Sequence, residues 1–158
     1  MYRTLLLAYD GTLDGRRALR EGALVARMCG ARVVLLAVVE FDPALVGFSG
    51  GVYIPSSDGT AEAREILAEG SERLTRLGLA HEVRLERGAP VERITEVAKE
   101  VGADLVVVGH HRQGAVSRWL LGSVTSALSD TLECSLLVAR REVSDIELYG
   151  PPAGKAVG

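Results

Sequence analysis

A chain of 158 residues, 47% apolar and 25% charged, holds enough material for one domain with a sizeable core, and its composition is not that of a disordered chain. Its net charge of -3 leaves no broad basic footprint for nucleic acid, and no apolar run approaches the roughly 18–20 residues of a membrane span. The first residues enter a strand pattern without signal-peptide architecture, and Cys29 and Cys134 have neither metal-ligand spacing nor a disulfide framework. The expected setting is therefore reducing and cytoplasmic, with both thiols acting as small buried hydrophobes.

Leu5 to Tyr9 is a short continuous apolar run ending at Asp10-Gly11-Thr12, as suits a strand covered on both faces. Thr12 is a plausible N-cap for a helix running to about Cys29, with Ala18, Leu19, Ala23 and Ala26 on its buried face and Gly30 just past its end. Arg32 to Glu40 carries the second strand, so the first crossover is expected to be parallel and right-handed. From Phe41 to Gly59 glycine, proline and serine punctuate the chain, and a long loop is expected, in the role of a lid or partner contact.

Thr60 to Leu77 reads as a helix with an apolar stripe at Ile66, Leu67, Leu74 and Leu77. His81 to Glu86 alternates as an edge or half-buried strand does, which makes His81 a surface residue. Pro90 then opens a helix whose Val91, Ile94, Ala98 and Val101 share one face, ended by Gly102. Ala103 to Val108 is the fourth strand. Ser123 is placed at the N-cap of a helix burying Ala127, Leu128, Thr131 and Leu132, and Ser135 to Ala139 is the fifth strand. After Arg141 the pattern dissolves, so residues 1–143 are read as the domain and 144–158 as a loosely ordered tail. Five strands alternating with four helices make a single doubly wound α/β domain.

Ligands of such folds bind outside the carboxyl ends of the strands. Asp10-Gly11-Thr12, Val38 to Glu40, Arg87-Gly88 and Gly109 to Gly114 are therefore expected around one crevice. The segment from Val106 to Thr125 dominates it: a β-branched run stops at Gly109, a polar loop follows, and Gly122-Ser123 opens a helix. Glycines admit a ligand to the backbone, and a helix N-terminus offers unpaired N–H groups, so this segment reads as a phosphate cradle for a nucleotide. Arg112 and Arg118 could meet phosphate oxygens. Val38 and Val39 could line a slot for a flat ring, and Asp10 could accept bonds from ribose hydroxyls or hold a metal through phosphates. The plainer reading of Asp10-Gly11-Thr12 is a turn with a helix cap. His110 and His111 are not expected to bind metal, because adjacent loop side chains rarely converge on one ion; lining the cleft suits them better. No nucleophile arrangement stands out, and no catalytic residue is assigned.

These residues resemble the universal stress protein family, whose ATP-binding branch carries Gly-x2-Gly-x9-Gly-Ser/Thr after the fourth strand. Gly109 and Gly122-Ser123 match its outer positions, and Ser117-Arg118-Trp119-Leu120-Leu121-Gly122-Ser123-Val124 is similar to its flank. Leu5 to Thr12, Gly88-x-Pro90 with Ile94 and Ala98, and Cys134 with Leu136-Leu137-Val138 match further family segments, so the likeness runs from about Arg3 to Arg141. It implies a five-stranded parallel sheet in the order 3-2-1-4-5, of the adenine nucleotide alpha hydrolase kind, and a homodimer paired through the last strand. It places Ala8 and Asp10 by the nucleoside and the Val38 backbone on adenine. Gly109, Gly122, Ser123 and Val124 would hold the phosphates, with His111 where the family often has His or Arg.

Arg112 stands where the family has its second glycine, and Gly114 follows two residues later. Either the arginine fills the phosphate space, or Gly114 takes over the bend and Arg112 grips the phosphates. The expectation is a homodimeric cytoplasmic regulator or sensor that binds ATP, with magnesium as its companion, and hydrolyses it slowly at most. The alternative is a stress-response interaction module of the same fold without nucleotide. A phospho-acceptor receiver domain would want more carboxylates and a lysine at these strand ends. A nucleotidyl transferase would show a His-x-Gly-His-like element after the first strand, which this chain lacks.

Overall fold

The structure, a computed structural model, describes residues 1–40, 59–110 and 123–150, with Ser123 described by its backbone alone. Strands β1 (Thr4–Ala8), β2 (Arg32–Val39), β3 (His81–Arg87), β4 (Leu105–Gly109) and β5 (Ser135–Ala139) form one parallel sheet in the order β3-β2-β1-β4-β5. Helices α1 (Leu13–Cys29), α2 (Thr60–Arg76), α3 (Pro90–Val101) and α4 (Ser123–Thr131) connect the strands. A fifth helix, α5 (Asp145–Tyr149), follows the last strand, so the helix count among the described residues is five rather than the expected four. Five residues are too few for a periodic apolar pattern to show, which is why the sequence pattern misses it.

Side-chain alternation splits each inner strand between two apolar layers. Leu5, Leu7 and Tyr9 of the first strand segment join Val33 and Leu35 of β2 and Ala18, Leu19, Ala23 and Ala26 of α1 in one layer. Leu6, Val34, Leu36, Val106 and Val108 join Ile94, Val97 and Ala98 of α3 and Leu128 of α4 in the other. Four of the stripe positions expected on α1 are thus buried as read. Among the described side chains of α4 only Leu128 is fully buried; Thr131 is exposed, with its hydroxyl 3.2 Å from that of Thr95 and donating to the Ala127 carbonyl.

Helix α1 lies close on the sheet because its contact face, Leu19 apart, is made of glycine and alanine. A Cβ built on Gly22 would sit 2.3 Å from Leu7 Cδ2. Its ends are those the sequence specifies: the Thr12 hydroxyl accepts from the Gly15 amide at 3.0 Å, and Gly30 closes the helix with φ at +65°. At the opposite rim Asp104 fastens the start of β1, accepting both the Arg3 amide at 2.9 Å and the Thr4 amide at 3.0 Å. His81 departs from its expected surface role. It is half-buried, with Nε2 2.8 Å from the Ser71 hydroxyl and Nδ1 2.9 Å from the Leu79 carbonyl. Cys29 and Cys134 are both free and half-buried, and burial pushes the Cys134 thiol pKa up. No helix among the described residues is long and apolar enough to cross a membrane.

Candidate functional site

All five strands run the same way, so their carboxyl ends share one rim, and β1 lies between β2 and β4 where the order of connection reverses. At that point β1 leaves the sheet before its neighbours do. Its pairing with β2 ends at Ala8 opposite Leu36, and the Tyr9 amide then donates to the Leu36 carbonyl at 2.8 Å. Val38 lies two residues beyond Leu36. Backbone groups alternate sides along a strand, so Val38 turns its amide and carbonyl toward β1, past the bond where β1 departs. The Val39 carbonyl points the other way and accepts the Gly88 amide at 3.0 Å. On the opposite flank, Gly109 ends β4 two residues beyond Val107, the last β4 residue paired with β1. A gap therefore opens above β1, flanked by Val38 and Gly109.

The first turn of α1 roofs part of this gap. A Cβ on Gly109 would stand 2.8 Å from the Asp14 carbonyl oxygen and 3.2 Å from the Gly15 nitrogen. Real side chains do not tolerate the shorter distance, so glycine at 109 is what lets the helix N-terminus come this near to β4. A Cβ on Gly15 would lie 2.2 Å from Asp10 Oδ1, so a larger residue here would displace that carboxylate from its bonds to Thr12. The sequence carried no periodic signal for Gly15; only the folded turn shows what it must avoid.

Asp10 is exposed, and its Oδ1 accepts the Thr12 amide at 3.0 Å and the Thr12 hydroxyl at 2.6 Å. The turn-and-cap reading therefore describes what this carboxylate does within the chain. Ala8, Val38 and Val124 each pack against the apolar layer that holds Leu36, Val106 and Leu128. Ser123 begins α4. His111, Arg112 and Gly122 lie outside the described residues, as do Arg118 and the segment 41–58. His110 is half-buried and its amide donates to the Ala139 carbonyl at 3.1 Å.

Two further groups border the rim. The Arg87 guanidinium donates to the Thr60 hydroxyl, which ties the end of β3 to the start of α2. Gly59, with φ at +65°, brings that helix start against Val39, where its Cβ would be 3.3 Å from Val39 Cγ1. Tyr9, only 3% exposed, faces the α1–α2 side, where its hydroxyl donates to Glu69 Oε2 at 3.3 Å. Glu69 also accepts from Arg73 at 2.7 Å and pairs with Arg16 at 3.1 Å. The Arg73 bond keeps the Glu69 carboxyl below its ordinary pKa, and burial pushes that of the Tyr9 phenol up. The cluster locks α1 to α2 on the face away from Val38. Among the described residues no three His, Cys, Asp or Glu side chains gather as a metal site would need.

Comparison with known proteins follows the same outline. The model of the universal stress protein family matches residues 1–140. A universal stress protein of Thermus aquaticus is 31% identical over 143 residues, covering 89% of this chain and all of the relative. The universal stress protein YxiE of Bacillus subtilis is 28% identical with the same coverage. Among solved structures, a universal stress family protein from Burkholderia pseudomallei superposes with a TM-score of 0.69 at 30% identity, over 87% of this chain and 95% of that one. A universal stress protein crystallised in complex with cAMP gives a TM-score of 0.67 at 26% identity, over 89% of this chain and 99% of that one.

Proposed function

The chain belongs to the universal stress protein family, and on that premise we propose that it binds an adenine nucleotide, ATP with magnesium in the first instance, above the departed end of β1. The observation that carries this reading is the orientation of Val38. Its amide and carbonyl offer one donor and one acceptor side by side, at a half-buried apolar position, toward a gap that no strand fills. A purine edge presents the complementary pair, and Ala8 with the Val38 side chain supplies the apolar wall that a flat ring needs.

From the ring, the ribose runs toward Asp10 and the phosphates toward Gly109. Gly109 offers its backbone at the end of β4, and Ser123 and Val124 at the start of α4, with Gly122 before them in the sequence, add N–H groups and the positive end of a helix dipole. Arg112 contributes positive charge, and His111 a ring nitrogen that can donate a hydrogen bond. A relative at 26% identity was crystallised with cAMP, which supports an adenine ring as the common element of the ligand.

Hydrolysis is slow at most. The Asp10 carboxylate is already engaged with Thr12, and positioning without a general base gives weak turnover. The role that fits is a cytoplasmic regulator or sensor that reads nucleotide occupancy. It acts as a homodimer, for which the edge strand β5 supplies the seam.

Calorimetric titration with magnesium-ATP, ATP alone and cAMP tests the binding. A saturable heat for at least one of them is expected, and no heat with no thermal shift at millimolar concentrations overturns the reading. Native mass spectrometry of the purified protein reads subunit number and copurified nucleotide together. A second reading, an interaction module without nucleotide, is favoured by one observation: arginine at 112 replaces the second glycine of the motif.

A further inference from the structure

We propose that residues 142–150 form a detachable arm, shaped by α1, that opens as a unit ahead of the rest of the fold and uncovers part of the apolar layer it shares with α1. This inference does not depend on the nucleotide reading. A helix of five residues has too few bonds to persist alone, so α5 must be held from outside. Its N-terminus closes on itself through a capping box: Ser144 Oγ accepts the Glu147 amide at 3.3 Å, and Glu147 Oε2 accepts the Ser144 amide at 3.0 Å. The remaining polar ties come largely from α1.

Arg20 Nε donates to the Val143 carbonyl at 2.9 Å, and its guanidinium pairs with Asp145. Arg27 donates to the Leu148 carbonyl and, at 3.0 Å, to the Gly150 carbonyl, capping the last turn. Arg20 and Arg27 are seven residues apart, about 10.5 Å along a helix. That span brackets α5 from the residue before its cap to its final carbonyls, so the arginine spacing on α1 sets the length of the helix it holds. Arg17 adds a third tie, pairing with Glu142 while bound at 3.1 Å to Asp14.

Apolar adhesion is small by comparison. Only Val143 and Leu148 are buried, while Ile146 is 85% and Tyr149 56% exposed. Val143 and Leu148 join the apolar layer that also holds Leu137 and Ala139 of β5, and α5 itself packs chiefly on α1. Charged contacts with exposed partners are individually weak and sensitive to salt. An arm held by two such pairs, to Glu142 and Asp145, and by three part-buried guanidinium-to-carbonyl hydrogen bonds, with two apolar residues seated, is the low-stability unit of this layer.

Hydrogen exchange followed by mass spectrometry on the full chain tests the proposal, comparing a peptide spanning 143–150 with one from β4. In low salt the arm is expected to exchange at least roughly tenfold faster than β4. Sodium chloride near 1 M, where the screening length is about 3 Å, should accelerate the arm further and leave β4 unchanged. The double variant R20Q/R27Q should do the same in low salt, and R76Q, a surface arginine of α2, should not. Binding of a hydrophobic dye should rise in step with arm exchange. An arm that exchanges at the rate of β4 in every condition overturns the proposal, as does one that neither salt nor the double variant accelerates. Should the double variant fail to fold, L148A in the same salt series provides the comparison.

Discussion

The Cα of Gly109 faces the carbonyl of Asp14 so closely that an added methyl group would stand 2.8 Å from that oxygen. The end of β4 and the first turn of α1 thereby form one wall above β1. G109A must push the helix N-terminus outward. We expect a loss of about 1–3 kcal/mol of stability, the usual cost of overpacking a fitted contact, measurable by denaturant titration. Nucleotide affinity should fall by a larger factor than in G102A, whose backbone also changes but which sits at the far end of α3.

Thr12 caps α1 and also donates to Asp10, so it holds both ends of the turn. T12A should cost about 1 kcal/mol from the cap, and T12S should restore most of it. Thermal denaturation of the pair separates the hydroxyl from the lost methyl group.

Gly70 of α2 rests on Tyr9 and Leu35, with its would-be Cβ 2.9 Å from atoms of each. G70A exchanges a helix-disfavouring residue for the best helix former, a gain of about 1 kcal/mol in an open helix. Here the tight contact should win, and the net change in unfolding free energy should be destabilising. A neutral or stabilising result would show that Tyr9 can retreat.

Asp104 supplies a pH dependence. Burial raises its pKa, but bonds from the Arg3 and Thr4 amides outweigh that and hold it below the ordinary aspartate value. A lowered folded pKa means that the unfolded chain binds the proton first as pH falls. The contribution is complete above the unfolded aspartate value of about 3.9 and disappears as pH drops through the folded value. Stability of D104N, measured against pH, should show a shallower acid limb than the parent chain.

Arg112 decides between the two functional readings. R112G restores the family's glycine at that place. A gain in ATP affinity would mean that the arginine obstructs the phosphates, and a loss would mean that it grips them. No change in either direction would place the arginine outside the phosphate site.

Strand and helix positions were legible in the residues themselves, because each depends on local chemistry: continuous β-branched runs, a threonine cap, glycines at helix ends. The spacing of Gly109 from Gly122-Ser123, which carries the proposed cradle, stands in the residues too. Three things were not legible there. The turning of Val38 toward the gap follows from where β1 stops relative to β2, which is a matter of register between segments far apart in the chain. The crowding of position 15 by the Asp10 carboxylate arises only when that side chain folds back over α1. Helix α5 announces only its start, through Ser144-x-x-Glu147; the bonds that hold the rest come from arginines more than a hundred residues away. Local propensity writes the elements, whereas close approach and long-range hydrogen bonding come into being only once the elements are packed.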